Sequence, residues 1–298
     1  MCLYGYLEVW FKRLCVSSRE QPPLYHGLVS GRKGKLSDFL GWASLIWIMQ
    51  QHDFRRFFCE ENIKINPMDE EGINTSETDL SSCLRSTYFI DSGNFAVKEF
   101  AQTQAGSGSD LERGVRLYYA VRDFIRYDPY GIGRKPEDYQ ASLCLEQKTG
   151  FCITKAALLA ACARAVGIPS RVGYGDVRNH LATPKLLELL RTDEFVFHGY
   201  TELFLDGIWV KATPAFNISL CERFGVLPLE FNGRDDSLFH PYDSSGRRHM
   251  EYIRERGSFV DVPFEGIMEA FQEYYPIAME KGFNASEGDF SAEAARRS

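Results

Sequence analysis

Two side chains in this sequence have the types and the setting for thiol chemistry: Cys152, at the start of an alanine-rich stretch, and His198, 46 residues further on in a strand-like run. The stretch Thr149-Gly-Phe-Cys-Ile-Thr-Lys-Ala-Ala-Leu-Leu-Ala-Ala-Cys-Ala-Arg-Ala-Val-Gly-Ile-Pro169 reads as a helix that opens at Cys152 and closes at Gly167, where glycine and then proline give a stop signal. A thiol at a helix N-terminus faces unpaired backbone N–H groups and the positive end of the dipole, which lowers its pKa and populates the nucleophilic thiolate. Cys152 is therefore expected to have a depressed pKa, with His198 acting as base and then as acid. Gly150 lets the backbone bend tightly just before the cysteine. A free cysteine taken alone is usually a small buried hydrophobe, so its neighbours must carry the argument.

The elements that would position the histidine follow from turn chemistry. Val196 to Leu205 and Ile208 to Thr213 are apolar-rich runs flanking Asp206-Gly207, the signature of a two-residue hairpin. Leu205 then faces Ile208, Glu202 faces Lys211 and Tyr200 faces Thr213. His198 shares one side of the sheet with Tyr200, Glu202, Lys211 and Thr213, while Thr201, Leu203, Leu205, Ile208, Val210 and Ala212 form the core side. Thr213 is a diagonal neighbour of His198 and can hold its second ring nitrogen. Asn217 falls on the same side by parity and is the alternative orienter, since a neutral amide can also hold an imidazole. Glu202, four residues along the strand and roughly 13 Å from His198, reads as the partner of Lys211.

Other polar residues carry weaker readings. Gln147, five residues before Cys152, is a weak oxyanion donor whose default is a surface role, and Tyr200 and Trp209 are weak substrate contacts. Arg171 caps the helix end or binds an acidic substrate group. Asp176 and Arg178 pair with each other or serve a turn before His180, which is a poorer base than His198.

Gly150-Phe-Cys152, Leu158 to Arg164, Gly167-Ile-Pro-Ser-Arg171 and the segment from His198 to Trp209 resemble the transglutaminase-like superfamily in its bacterial-type domains, over roughly residues 110 to 217. The core of that superfamily resembles papain-type thiol proteases. The resemblance implies an α+β fold with the nucleophile helix packed against an antiparallel sheet. It also implies cysteine-dependent acyl transfer or hydrolysis at an amide or peptide bond through a thioester. The resemblance implies that most relatives carry aspartate in a Trp-Val-x-x-Asp-Pro pattern, whereas this chain reads Trp209-Val-Lys-Ala-Thr213-Pro214. A hydroxyl can set the tautomer of an imidazole but cannot stabilise an imidazolium as a carboxylate does. The alternative is therefore a weak or inactive module that keeps the groove and binds peptide or protein. The sequence shows no calcium loop and no large β-sandwich flanks, which favours hydrolysis over cross-linking.

Composition sets the outer bounds. A net charge of −7 and a pI near 5.5 argue against nucleic acid as a partner. The eight cysteines have no C-x-x-C pair and no compact zinc spacing, so they read as reduced thiols in a cytoplasmic protein, with no metal and no cofactor. The expected partner is a peptide or protein amide substrate, and oligomeric state is left open. Met1 to Val16 lacks the form of a signal peptide, and Phe39 to Met49, 11 apolar residues, is too short to span a bilayer. Residues 1–83 are read as a partly helical appendage with its boundary within Asn66 to Ser82, residues 84–262 as the catalytic domain, and 263–298 as a C-terminal helix and disordered tail. Within the domain, Thr87 to Asp91 is expected extended, Gln102 to Ser109 a flexible linker, and Asp110 the cap of a helix reaching Arg126. Leu229 to Asp243 is read as a turn-rich cover, and Phe264 to Lys281 as a helix kinked at Pro276.

Overall fold

The computed structural model describes residues 80–180, 182–239, 250–283 and 290–295, all within the compact unit 72–298. The readings of Met1 to Val16, of Phe39 to Met49, and of the boundary segment as far as residue 79 lie outside them, as does His240. In chain order the helices are α1 (Phe95–Ala105), α2 (Asp110–Phe124), α3 (Ala141–Gln147), α4 (Cys152–Ala165), α5 (Pro184–Leu190), α6 (Ile218–Phe224), α7 (Phe264–Tyr274), α8 (Pro276–Lys281) and α9 (Phe290–Ala295). The strands are β1 (Arg126–Tyr127), β2 (Thr149–Gly150), β3 (Ser170–Asn179), β4 (Glu194–Leu205), β5 (Ile208–Ala212) and β6 (Met250–Phe259). The main sheet runs β5-β4-β3-β6 and is antiparallel throughout, while β1 and β2 form a short parallel pair. The architecture is α+β, with α4 laid against the sheet.

Every residue of α4 from Ile153 to Arg164 is buried, as suits a helix that is apolar all round. Alanines let neighbours approach closely, and the few polar groups are matched. Thr201 Oγ1 donates to the Ala156 carbonyl and Ser170 Oγ to the Ala160 carbonyl, both at 2.8 Å, pinning α4 to β4 and β3. Lys155, fully buried, donates to the Arg122 and Ile125 carbonyls at the end of α2, and burial lowers its pKa to about 7. Arg164 spans the carbonyls of Arg85, Ser170 and Val260. The helix ends as expected, with Gly167 at φ +84° and the Ile168 N–H returning to the Ala163 carbonyl.

The hairpin has the expected register: Leu205 opposite Ile208, Glu202 opposite Lys211, and both turn residues at positive φ, Asp206 at +49° and Gly207 at +86°. Regular pairing stops at Thr201–Ala212, and beyond it Ser237 bridges to Ala212. The carboxylate of Glu202, however, pairs with Arg171 and accepts from Ser258, while Lys211 turns to Glu255 at 3.2 Å. Arg171 thus serves the sheet and not the helix end. Asp176 and Arg178 do not pair: Arg178 takes Glu194, and Asp176 takes Arg256 and the Phe197 N–H.

The region before α4 differs from expectation. Residues 88–90 form bends and not a strand, and α1 takes up the first half of the expected linker, to Ala105, because Asn94 caps the Ala96 N–H while Val97, Ala101 and Ala105 reach the core. Ser109, with Glu112, makes the capping box of α2, one residue earlier than the expected cap, and the helix ends at Phe124. The break at Pro276 divides α7 from α8 as expected. The tail is ordered at 290–295: Phe290 is buried near Tyr127 and Phe224, and Glu293 accepts from Tyr130 and Thr183. No helix among the described residues is long and apolar enough to cross a membrane.

Candidate active site

Cys152 is the first residue of α4, and the turn before it is tight for a steric reason. A Cβ on Gly150 would lie 2.6 Å from Thr154 Oγ1 and 2.7 Å from Cys144 Sγ. Thr154 closes the helix start by accepting from the Phe151 N–H at 3.1 Å. Across from it, Gly199 of β4 presses onto the helix, where an added Cβ would stand 3.0 Å from the Ile153 Cα and 3.1 Å from the Cys152 carbonyl oxygen. Only a residue without a side chain lets the strand and the helix N-terminus meet so closely.

The thiol at this junction is not depressed. Burial pushes it up to about 11, against the opposing pull of hydrogen bonds from the backbone N–H groups of Gly199, Ile153 and Cys152 itself. The charged form would also lie within electrostatic reach of the buried hydroxyls of Tyr127, Tyr139, Tyr174, Tyr252 and Tyr275. Cys152 opens on a cavity of about 40 Å³ walled in part by Ile132, Leu186, Leu190, Phe271, Tyr275 and Phe283. That volume holds a water or two and no peptide. The expected depressed pKa therefore fails because desolvation outweighs the helix dipole.

His198 sits one residue before Gly199, on the side of β4 shared with Tyr200 and Glu202, while Gly199 and Thr201 face α4. It is 2% exposed, and its ring centroid lies 5.4 Å from that of Phe239 and 6.2 Å from that of Tyr252, both edge-on. Neither ring nitrogen has a hydrogen-bond partner among the described residues, and burial lowers the imidazole pKa to about 3. Asp176 and Arg256 brace the strand just before it. Three residues of β4 oppose two of β3 there, and Phe197 is held at φ +55° with its N–H on Asp176 at 3.0 Å. This is a β-bulge beside the site, where it re-aims the chain.

The remaining expected site residues divide. Thr213 is buried and its hydroxyl faces that of Tyr252 without a well-formed hydrogen bond, so Thr213 and His198 meet at the same tyrosine. Asn217 is turned elsewhere: its Oδ1 accepts from the Tyr127 N–H at 3.0 Å and its Nδ2 donates to Ser219, which joins α6 to β1. Tyr200 lies flat over Gly173 with Lys211 Nζ 5.2 Å from its ring centroid, next to His198 along the strand. Trp209 pairs across from Phe204 and is covered by Arg171 at 4.3 Å, six residues and roughly 20 Å along β4 from His198. Gln147 is exposed and lines a different cavity.

Three residues at the site were not singled out from sequence: Gly199, Tyr252 and Phe239. Gly199 had a signal, a glycine directly after the candidate base inside a strand. Tyr252 and Phe239 lie on segments whose pairing no local pattern announces.

Residues 98–214 match the family model of the transglutaminase-like superfamily. Among solved structures, the chain is similar to a candidate cysteine protease from Cytophaga hutchinsonii, at 15% identity over 62% of this chain and 48% of that one, with a TM-score of 0.38. It is also similar to a candidate protease from Parabacteroides distasonis, at 18% identity over 45% of this chain and 26% of that one, with a TM-score of 0.31. The chain thus spans less than half the length of either structure, and likeness at this level carries no argument about activity. No curated protein matches. Cys152, His198 and Thr213 all fall inside the matched span, so the part of the chain that resembles the transglutaminase-like superfamily is the part that carries the candidate site.

Proposed function

We propose that this protein carries out cysteine-dependent hydrolysis or acyl transfer at an amide or peptide bond, with Cys152 as nucleophile and His198 as base. The observation that carries the reading is the junction at Gly199, where the strand bearing His198 closes on the first residue of a buried helix bearing the thiol. Both groups rest in the neutral form, since the thiol is raised to about 11 and the imidazole lowered to about 3. A preformed thiolate–imidazolium pair is therefore disfavoured, and proton transfer accompanies attack.

As Sγ bonds to the carbonyl carbon, the thiol proton passes to a His198 ring nitrogen. Collapse of the tetrahedral intermediate breaks the C–N bond, and the leaving amine takes the proton from the imidazolium. Water then attacks the thioester, giving its proton to His198, which returns it to the departing sulfur. Water is the preferred acceptor over a lysine amine because the cavity at the thiol is small and apolar-walled. Substrate access requires α5 or the segment carrying α7 and Phe283, which wall the thiol cavity, to move. The free cysteines among the described residues suit a reducing, cytoplasmic setting.

A peptide-binding module without turnover is the second reading, favoured by the absence of a hydrogen bond between thiol and imidazole and by threonine at position 213. Hydrolysis of a peptide-amide library by the wild type, Cys152→Ala and His198→Ala separates the two. Turnover confined to the wild type supports catalysis. Peptide binding retained in all three proteins with no turnover in any supports the binding module.

A further inference from the structure

A second cavity, of about 350 Å³, lies against the one at Cys152, and Ile132 and Phe283 line both. Its other walls include Arg134, Lys135 and Asp138 from the loop after β1, with Leu143 and Gln147 from α3. The loop is a formed structure. A Cβ on Gly133 would meet Asp138 Oδ2 at 2.1 Å, so glycine is required for the chain to close on that carboxylate. Asp138 accepts from the Lys135 N–H at 3.0 Å, and Tyr139 Oη donates to the Gly133 carbonyl. Arg134 Nη1 donates to the Met279 carbonyl at 2.6 Å, anchoring the loop to α8. A guanidinium offers five N–H donors in a fork that matches a carboxylate, so this anchor leaves most of its donor capacity over.

Two cations and an amide converge here against one carboxylate that is already engaged by backbone, in a chain whose net charge is −7. We propose that this cavity is a recognition subsite for a carboxylate on the peptide whose amide bond reaches Cys152. The inference rests on the proposed function for its substrate but not for its binding chemistry. The carboxylate has two sources, an acidic side chain or the C-terminal carboxylate of the peptide. Arg134 receives it in the fork, Lys135 adds a point charge, and Gln147 donates its amide N–H. Ile132 and Phe283 are the shared wall between this cavity and the one at the thiol.

Isothermal titration on the full chain carrying Cys152→Ala measures binding without turnover. The probes are three hexapeptides: Ala-Ala-Gln-Ala-Ala-Ala acetylated and amidated, the same peptide with Glu for Gln, and the neutral peptide with a free C-terminus. The expected result is at least about tenfold tighter binding of one of the two carboxylate peptides than of the neutral one, and which of them gains identifies the source. Arg134→Gln with Lys135→Gln should abolish the preference. Lys135→Gln alone, which keeps the Arg134 anchor, should reduce it, and Lys98→Gln on α1 should leave it intact. Equal binding of all three peptides, binding of none, or a preference that survives the double substitution overturns the subsite. A preference that behaves as expected, beside a wild type that hydrolyses nothing, leaves the subsite standing and removes the catalytic reading.

Discussion

Gly199→Ala adds one methyl group at the point where strand and nucleophile helix touch. The new carbon would stand 3.0 to 3.2 Å from the Ile153 Cα, the Cys152 oxygen and the Cys152 carbonyl carbon, all backbone atoms that no side-chain rotation can move. Ordinary contacts are longer by a few tenths of an ångström, so either the start of α4 or β4 must shift by about that much. Neither is loose, because Ile153 to Arg164 is buried along its whole length and β4 is paired to β3 at Gly199 itself, opposite Tyr174. Overpacking of this kind costs about 1–3 kcal/mol. Gly199 is not at positive φ, so alanine recovers about 0.4–1 kcal/mol from the unfolded chain. The net loss is about 1–2 kcal/mol, a fall in Tm of about 2–8 °C for a domain of this size. The shift also lengthens the hydrogen bond from the Gly199 N–H to Sγ, so alkylation of Cys152 should change while that of Cys221 does not. Thermal unfolding by calorimetry and site-resolved alkylation by mass spectrometry read the two effects. An alanine variant with unchanged Tm and unchanged Cys152 alkylation refutes the claim that the strand positions the thiol by close backbone approach.

Alkylation of Cys152 should rise about tenfold per pH unit through pH 9 without a plateau, because its thiol titrates near 11; a plateau below pH 8 would show an ionised thiol in the resting protein. His198, lowered to about 3 by burial, binds a proton in the unfolded chain near pH 6.5 but not in the folded one, so it removes stability as pH falls from 6.5 towards 3, by at most about 5 kcal/mol. His198→Phe should flatten that acid limb in denaturant titrations at pH 4 to 7, and an unchanged limb contradicts the assignment. Thr213→Asp should raise the His198 pKa by charge and increase turnover by about tenfold, equivalent to roughly 1.4 kcal/mol of barrier, with the acid limb of the rate profile displaced upward. A variant that folds and shows neither change removes Thr213 from the role of orienter.

The hairpin was legible because Asp206-Gly207 dictates a two-residue turn, and the turn fixes the faces of both strands. The helix bearing Cys152 was legible from its alanine-rich run and its glycine-proline stop. The direction of the thiol pKa was not, since it depends on which effect wins. A helix dipole contributes about 0.3–1 kcal/mol, at most about 2, whereas a rise from 9 to about 11 corresponds to about 3 kcal/mol in the other direction. Burial at that level comes from α5, α7 and Phe283, which the chain brings back from far along the sequence. The strand β6 escaped notice because it is an edge strand with exposed Arg254 and Glu255, so strict alternation is lost. Asn217 was misread because parity was carried past Pro214, where regular pairing had already stopped.

The central claim is that Cys152 forms a thioester with the substrate acyl group and that His198 moves the proton. Incubating the full chain with an activated acyl ester and quenching in acid traps that intermediate for intact-mass and peptide-level mass spectrometry. The account predicts one acyl group, on Cys152, formed at least about a hundredfold more slowly in His198→Ala and not at all at this position in Cys152→Ala. Acylation of Cys144 or Cys221 instead, or an unchanged rate in His198→Ala, contradicts it.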